Sequence, residues 1–276
     1  MMRLRTYGWY MVMAAVCGIF LSCARINPME GAIPLHILVL QLSGSRGTFT
    51  MGLNYREGLE FGILLLPFFL YQFYGGIQLY RQFCVASVYV FSRTTNRVKW
   101  YFTELWGMCK GLLVLQVFLQ GATLLVAALR WDVVWTTEGW ILMGIHVLLF
   151  TLWTFTMALG VNLLALIWGS SAGFLVMFAL QAGMLAALCT GAKLEPTDPA
   201  LARLLLLDPI SRLVLGWQSG GAFGLEGALP AEYGHVLTVS GSLLLLVLSL
   251  AAVVVLGLMV IQNKDILVSN LETGGV

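Results

Sequence analysis

Charge is what this sequence has least of. Asp, Glu, Lys and Arg make up 10% of its 276 residues, against about 25% in an ordinary water-soluble domain. So few charged groups cannot cover a soluble surface. With 59% of the chain hydrophobic, its solvent must be largely lipid. The net charge of +2 and the lack of a long basic run argue against a nucleic-acid surface. Cysteine is scarce as well. Cys17, Cys23, Cys84, Cys109 and Cys189 form no C-x-x-C pair, and four of them lie in or beside apolar runs as small packing residues. His36, His146 and His235 are too scattered to suggest a metal site. Gly-Lys does not occur, so no G-x-x-x-x-G-K-[ST] loop is present, and the chain is not expected to bind and hydrolyse ATP by such a loop. There is no H-E-x-x-H either. Ionisable residues are nearly missing from the middle of the apolar runs, which weighs against a proton-coupled pump or an intramembrane enzyme.

What the sequence has is apolar runs long enough to cross some 30 Å of hydrocarbon. Six are expected: Tyr7 to about Ala24, Gly58–Tyr80, Leu105–Leu129, Trp140–Trp168, Ala172–Cys189 and Leu237–Ile261. The expected fold is an all-α membrane protein of six transmembrane helices, a single transmembrane domain over residues 1–276 with no visible boundary. Pro67 predicts a kink in the second span. Gly107 and Gly111 have the spacing that lets helices approach closely. Gly169, Ser170 and Ser171 predict a tight turn between spans four and five. Ile33–Leu42 is apolar but too short to cross, and is expected at the membrane interface. Between spans five and six, Ala200–Leu207 and its flanking prolines predict short helices lying on or dipping into the membrane.

Basic residues are denser at one end of the spans. Arg3, Arg5, Arg81, Arg93, Arg97, Lys99, Lys110 and Lys264 fall there, which by the positive-inside rule predicts both termini inside. Trp9, Tyr10, Trp100, Tyr101, Trp106, Trp135, Trp140, Trp168 and Trp217 lie mostly at predicted boundaries, where aromatic rings anchor. In the spans, Gln72, Gln116 and Gln181 sit at near-central depth, with Gln120 nearer the outside and Asn162 nearer the inside. These amides have two readings: hydrogen-bonding links between helices, or a neutral lining for a translocation path, Gln72, Gln116, Gln120 and Gln181 being its candidates.

Tyr89–Trp106, YVFSRTTNRVKWYFTELW, is a basic, loop-like segment between spans two and three. It fits either a plain interfacial loop or a short helix contacting a partner. Arg93 and Arg97 are four apart, the spacing of one cationic helix face.

The layout as a whole resembles the membrane subunit of an ABC-type-2 exporter. The resemblance is carried by the six spans, by SRTTNRVKWYF at Ser92–Phe102, and by DPISRL at Asp208–Leu213, which is similar to a turn in the outer loop of such proteins. The resemblance implies a cytoplasmic coupling helix near Tyr89–Lys99, with Arg93, Thr94, Asn96, Arg97 and Lys99 meeting a separate ATPase. It also implies a second permease copy or paralogue, an outer lid at Leu204, Pro209 and Arg212, and a multi-pass location in a bacterial plasma membrane. No cofactor is expected in this chain, ATP and magnesium being held by the partner. The chain itself is then no enzyme. Its cargo would be a peptide, a drug-like amphiphile or a lipid-linked molecule. The competing expectation is a multi-span accessory or sensor protein that acts without ATP.

Overall fold

The computed structural model describes residues 2–26, 32–44, 55–85, 96–191, 199–225, 228–229 and 237–263. Helix α1 is Met2–Arg25, followed by strand β1, Ala32–Pro34, and helix α2, Leu35–Leu42. Helix α3 is Tyr55–Gly75; after a break come a short turn of helix at Gln78–Tyr80 and a π-helical turn at Arg81–Val85. Helix α4 is Arg97–Arg130, then strand β2, Asp132–Val134, helix α5, Thr137–Trp168, and helix α6, Ser170–Gly191. Helix α7 is Pro199–Leu207, three 3-10 turns follow between Ser211 and Phe223, and helix α8 is Val239–Asn263. Six of these segments are long and apolar enough to cross a membrane: those within α1, α3 with its continuation to Cys84, α4, α5, α6 and α8.

The spans alternate in direction. One end of the bundle carries Arg81, Arg97 and Lys99 and is called the basic end. The other carries β1 and β2 and is called the strand end. Helix α5 is the central post, with 67% of its most apolar stretch buried, against 22% in α6 and 17% in α8. Helices α1 and α4 run parallel and in close contact. A Cβ on Gly18 would lie 2.5 Å from the Leu119 carbonyl, and Thr123 donates to the Gly18 carbonyl at 3.2 Å. Of the Gly107–Gly111 pair, Gly111 is the one that admits a neighbour, the ring of Tyr10. The α5–α6 turn is as tight as expected. Gly169 has φ +94° and α6 begins at the next residue. The run Gly169–Gly173 also spells G-x-S-x-G, but it joins two helices and lacks the strand that a nucleophile elbow requires.

Several boundaries differ from expectation. Helix α3 contains Pro67 and ends at Gly75, short of the expected Tyr80, with a turn at Gly76 and Ile77. Helix α4 starts eight residues before Leu105. Asn96 is extended (φ −93°, ψ 96°), and its side chain accepts from the Lys99 N–H. This is a helix N-cap, so α4 opens at Arg97. Arg93 and Thr94 lie outside the described residues.

The largest difference is at the strand end. β1 pairs with β2 in parallel, Ala32 opposite Asp132. Parallel pairing sends the helices that follow, α2 and α5, in the same direction, into the bundle. Leu35, Leu38, Val39, Leu40 and Leu42 are buried, and Leu35 rests on Gly139, where a Cβ would clash. Helix α2 is therefore an inserted element rather than an interfacial one. Hydrophobic burial explains it: an eight-residue helix cannot cross lipid, but it can fill the space between spans.

Candidate functional site

Two halves of the bundle are packed differently. At the strand end the described residues pack closely. Arg25, at the end of α1, is buried and pairs with Glu60 at 3.3 Å, tying α1 to α3. The chain from Ile210 to Gln218 is buried throughout. Ser211 donates to the Leu205 carbonyl at 2.6 Å, Arg212 to the Leu206 carbonyl at 2.9 Å, and Gln218 to the Arg212 carbonyl at 2.6 Å. Of the expected lid residues, Arg212 is thus buried and folded back on α7, while Leu204 and Pro209 are half-buried. Between α2 and the spans remains a void of about 10 Å³ lined by Leu21, Leu42, Phe68, Gln120, Thr123 and His146, room for no more than one water.

Toward the basic end lies a cavity of about 330 Å³. Helix α1 contributes Tyr7 and Tyr10, three residues apart. Helix α3 contributes Tyr71 and Tyr74, also three apart. The segment after its break contributes Gln78, Arg81 and Gln82, and α4 contributes Gly107, Met108 and Gly111. Tyr10 and Tyr71 stack obliquely with centroids 5.3 Å apart, and Tyr74 meets the exposed Trp9 edge-on at 5.9 Å. Tyr71 donates its hydroxyl to the Met108 carbonyl at 2.5 Å. Behind the cavity the buried Glu104 accepts from Gln78 Nε2 at 2.9 Å and Gln82 Nε2 at 2.8 Å, and Trp100 Nε1 donates to Gln82 Oε1 at 3.2 Å.

The break that shapes this cavity has a specific cause. In an unbroken helix the Leu79 N–H would donate to the Gly75 carbonyl. Here the Asn162 side chain occupies that bond. Its Oδ1 accepts from Leu79 N–H at 2.8 Å and its Nδ2 donates to the Gly75 carbonyl at 3.0 Å. Both orphaned backbone groups are satisfied by one amide from α5.

Comparisons with protein-family models, with curated proteins and with solved structures return no match.

The residues singled out in the sequence divide between roles. Gln72 and Gln181 hydrogen-bond each other reciprocally at 3.0 and 2.8 Å, a buried link between α3 and α6. Gln116 is buried with neither side-chain atom hydrogen-bonded, and Gln120 lines the small void. Arg97 donates to the Ile261 carbonyl at 3.3 Å, placing a cation on the C-terminal turn of α8, where the helix dipole favours it. Lys99 is exposed. Tyr10, Trp100, Tyr101 and Trp217 are buried rather than anchored at a boundary, whereas Trp9, Trp106, Trp135, Trp140 and Trp168 are exposed. The tyrosine cavity itself was legible only as two pairs, Tyr7 with Tyr10 and Tyr71 with Tyr74, each spaced to share a helix face. Asn162 carried no sequence signal beyond being an amide in an apolar run.

Proposed function

We propose that this chain is the membrane-spanning subunit of an ATP-driven exporter, paired with a second permease and powered by separate ATPase subunits in a bacterial plasma membrane. The observation that carries this reading is the asymmetry of the bundle among the described residues: a cavity of about 330 Å³ at the basic end and a packed interior with a void of about 10 Å³ at the strand end. A body that exposes a site to one side at a time needs that arrangement in one of its two states. With the basic end cytoplasmic, the cavity takes cargo from inside, and the buried Ile210–Gln218 segment closes the exit.

Helix α4 gives the route its direction. From Gly111 at the cavity to Gln120 at the upper void is nine residues, about 13 Å of rise, with Gln116 between them. Gln116 and Gln120 then serve the path, and Gln72 and Gln181 hold helices together. Work enters where α4 begins. Lys99 offers an exposed cation to an acidic groove on the ATPase. Arg97 links the same turn to the end of α8, so a push there moves both helices.

The test is the composition of the complex. The tagged chain, extracted from its own membranes in a mild detergent, should bring down a subunit bearing a P-loop, and Lys99→Glu should reduce its recovery several-fold. A chain that comes down alone, with no ATPase activity responding to it, would replace this reading with the accessory or sensor role.

A further inference from the structure

We infer that the tyrosine cavity is a binding site for a single amphiphile with an anionic, oxygen-rich headgroup, admitted from the membrane. The unsatisfied donors make the case. Four phenols line the cavity, and only the Tyr71 hydroxyl is committed to a protein acceptor. The hydroxyls of Tyr7, Tyr10 and Tyr74 make no hydrogen bond among the described residues. Tyr10 is 5% exposed, so its ring is packed into the wall, while its hydroxyl is left to the cavity. A donor with no protein partner is open to a ligand acceptor, which replaces water there. Arg81 stands at the rim, exposed, with no side-chain partner among the described residues. Three phenolic O–H donors and a guanidinium line one cavity, a set suited to acceptor oxygens, and the guanidinium favours a negative charge on them.

The nearby carboxylate does not oppose this. Glu104 is turned to Gln78 and Gln82, which shield it from the cavity while leaving Gln78 Oε1 for a ligand hydroxyl. The apolar part of the ligand is set by the ring faces and by Met108. Trp9 and Tyr74 are about half exposed at the mouth, on a surface that otherwise meets lipid, and they form a side entrance through which an acyl or aromatic tail can remain in the bilayer. A volume near 330 Å³ falls at the small end of ligand pockets, enough for a headgroup and the first part of a tail.

This assignment deepens the exporter reading by naming the chemistry of the cargo. Binding is measured on the full chain alone, so it stands or falls separately from the ATPase recovery. The purified protein is titrated with 1-oleoyl lysophosphatidic acid, with 1-oleoyl lysophosphatidylcholine and with inorganic phosphate, and bound ligand is counted by native mass spectrometry. One lysophosphatidic acid should bind per chain, and the zwitterionic lipid about tenfold more weakly. Arg81→Gln should weaken lysophosphatidic acid binding about tenfold, as expected for losing a charged hydrogen bond. Tyr10→Phe, which keeps the ring, should weaken it a few-fold at an unchanged melting temperature. Equal binding of the two lipids marks unselective lipid contact and overturns the proposal. So does unchanged binding in both variants. Inorganic phosphate displacing the lipid at equal concentration would overturn the requirement for a tail.

Discussion

A single side chain can do the work of a backbone bond, and Asn162 is the case here. Replacing it with Leu strips partners from both the Gly75 carbonyl and the Leu79 N–H, two buried groups at about 1–3 kcal/mol each. Asn162→Leu should therefore lower stability by about 2–4 kcal/mol, read as a fall in the thermal midpoint of the purified protein. The Gln72–Gln181 pair should behave differently. Either single change to Leu leaves the other amide bare, while the double change removes both partners together. The double variant should be closer to wild type than the sum of the singles, and a double-mutant cycle measures the coupling. Additive losses would mean that the two amides do not depend on each other.

At the scale of elements, the strand-end segment around α7 carries a titration. Asp208 is buried, and loss of water pushes its carboxyl from 3.8 up to about 6, against the pull of backbone N–H groups of Ile210 and Ser211. Burial also lowers the Arg212 guanidinium from its usual value. The folded chain thus holds the Asp208 proton more tightly than the unfolded chain does. That stabilisation is complete below about pH 4 and is lost as pH rises through about 6, amounting to at most about 3 kcal/mol. The wild-type melting temperature should fall over that window relative to Asp208→Asn, which keeps the acceptor oxygen but cannot ionise. Parallel pH profiles for the two proteins would refute it. The spans were readable because lipid forces long apolar runs into helices, leaving few alternatives. Helix α2 was not, because hydropathy reports what avoids water and does not distinguish a membrane surface from a protein interior. The early start of α4 was hidden for a related reason. Trp100, Tyr101 and Glu104 form helix beyond the continuous apolar run, and Glu104 is buried by two glutamines from a distant part of the chain. The tyrosine cavity was equally hidden, because single rings near a boundary look like anchors until two helices bring them face to face.

For the whole molecule, the orientation is open to a direct check. In a cysteine-free background, Lys99→Cys and Asp132→Cys place thiols at opposite ends. A membrane-impermeant maleimide added to intact cells should label Asp132→Cys and spare Lys99→Cys until the cells are opened. Labelling in the reverse order would turn the bundle over, and no cytosolic ATPase could then reach the basic end.

The shared amide between α3 and α5 also limits how the bundle can rearrange. The severed bond of the second span can re-form only if Asn162 withdraws, and Asn162 cannot withdraw without α5 sliding or turning against α3. Straightening one helix and shifting the other are thus a single geared movement. Any route that opens the filled half while closing the cavity must either turn that gear or carry the two helices together as one rigid unit.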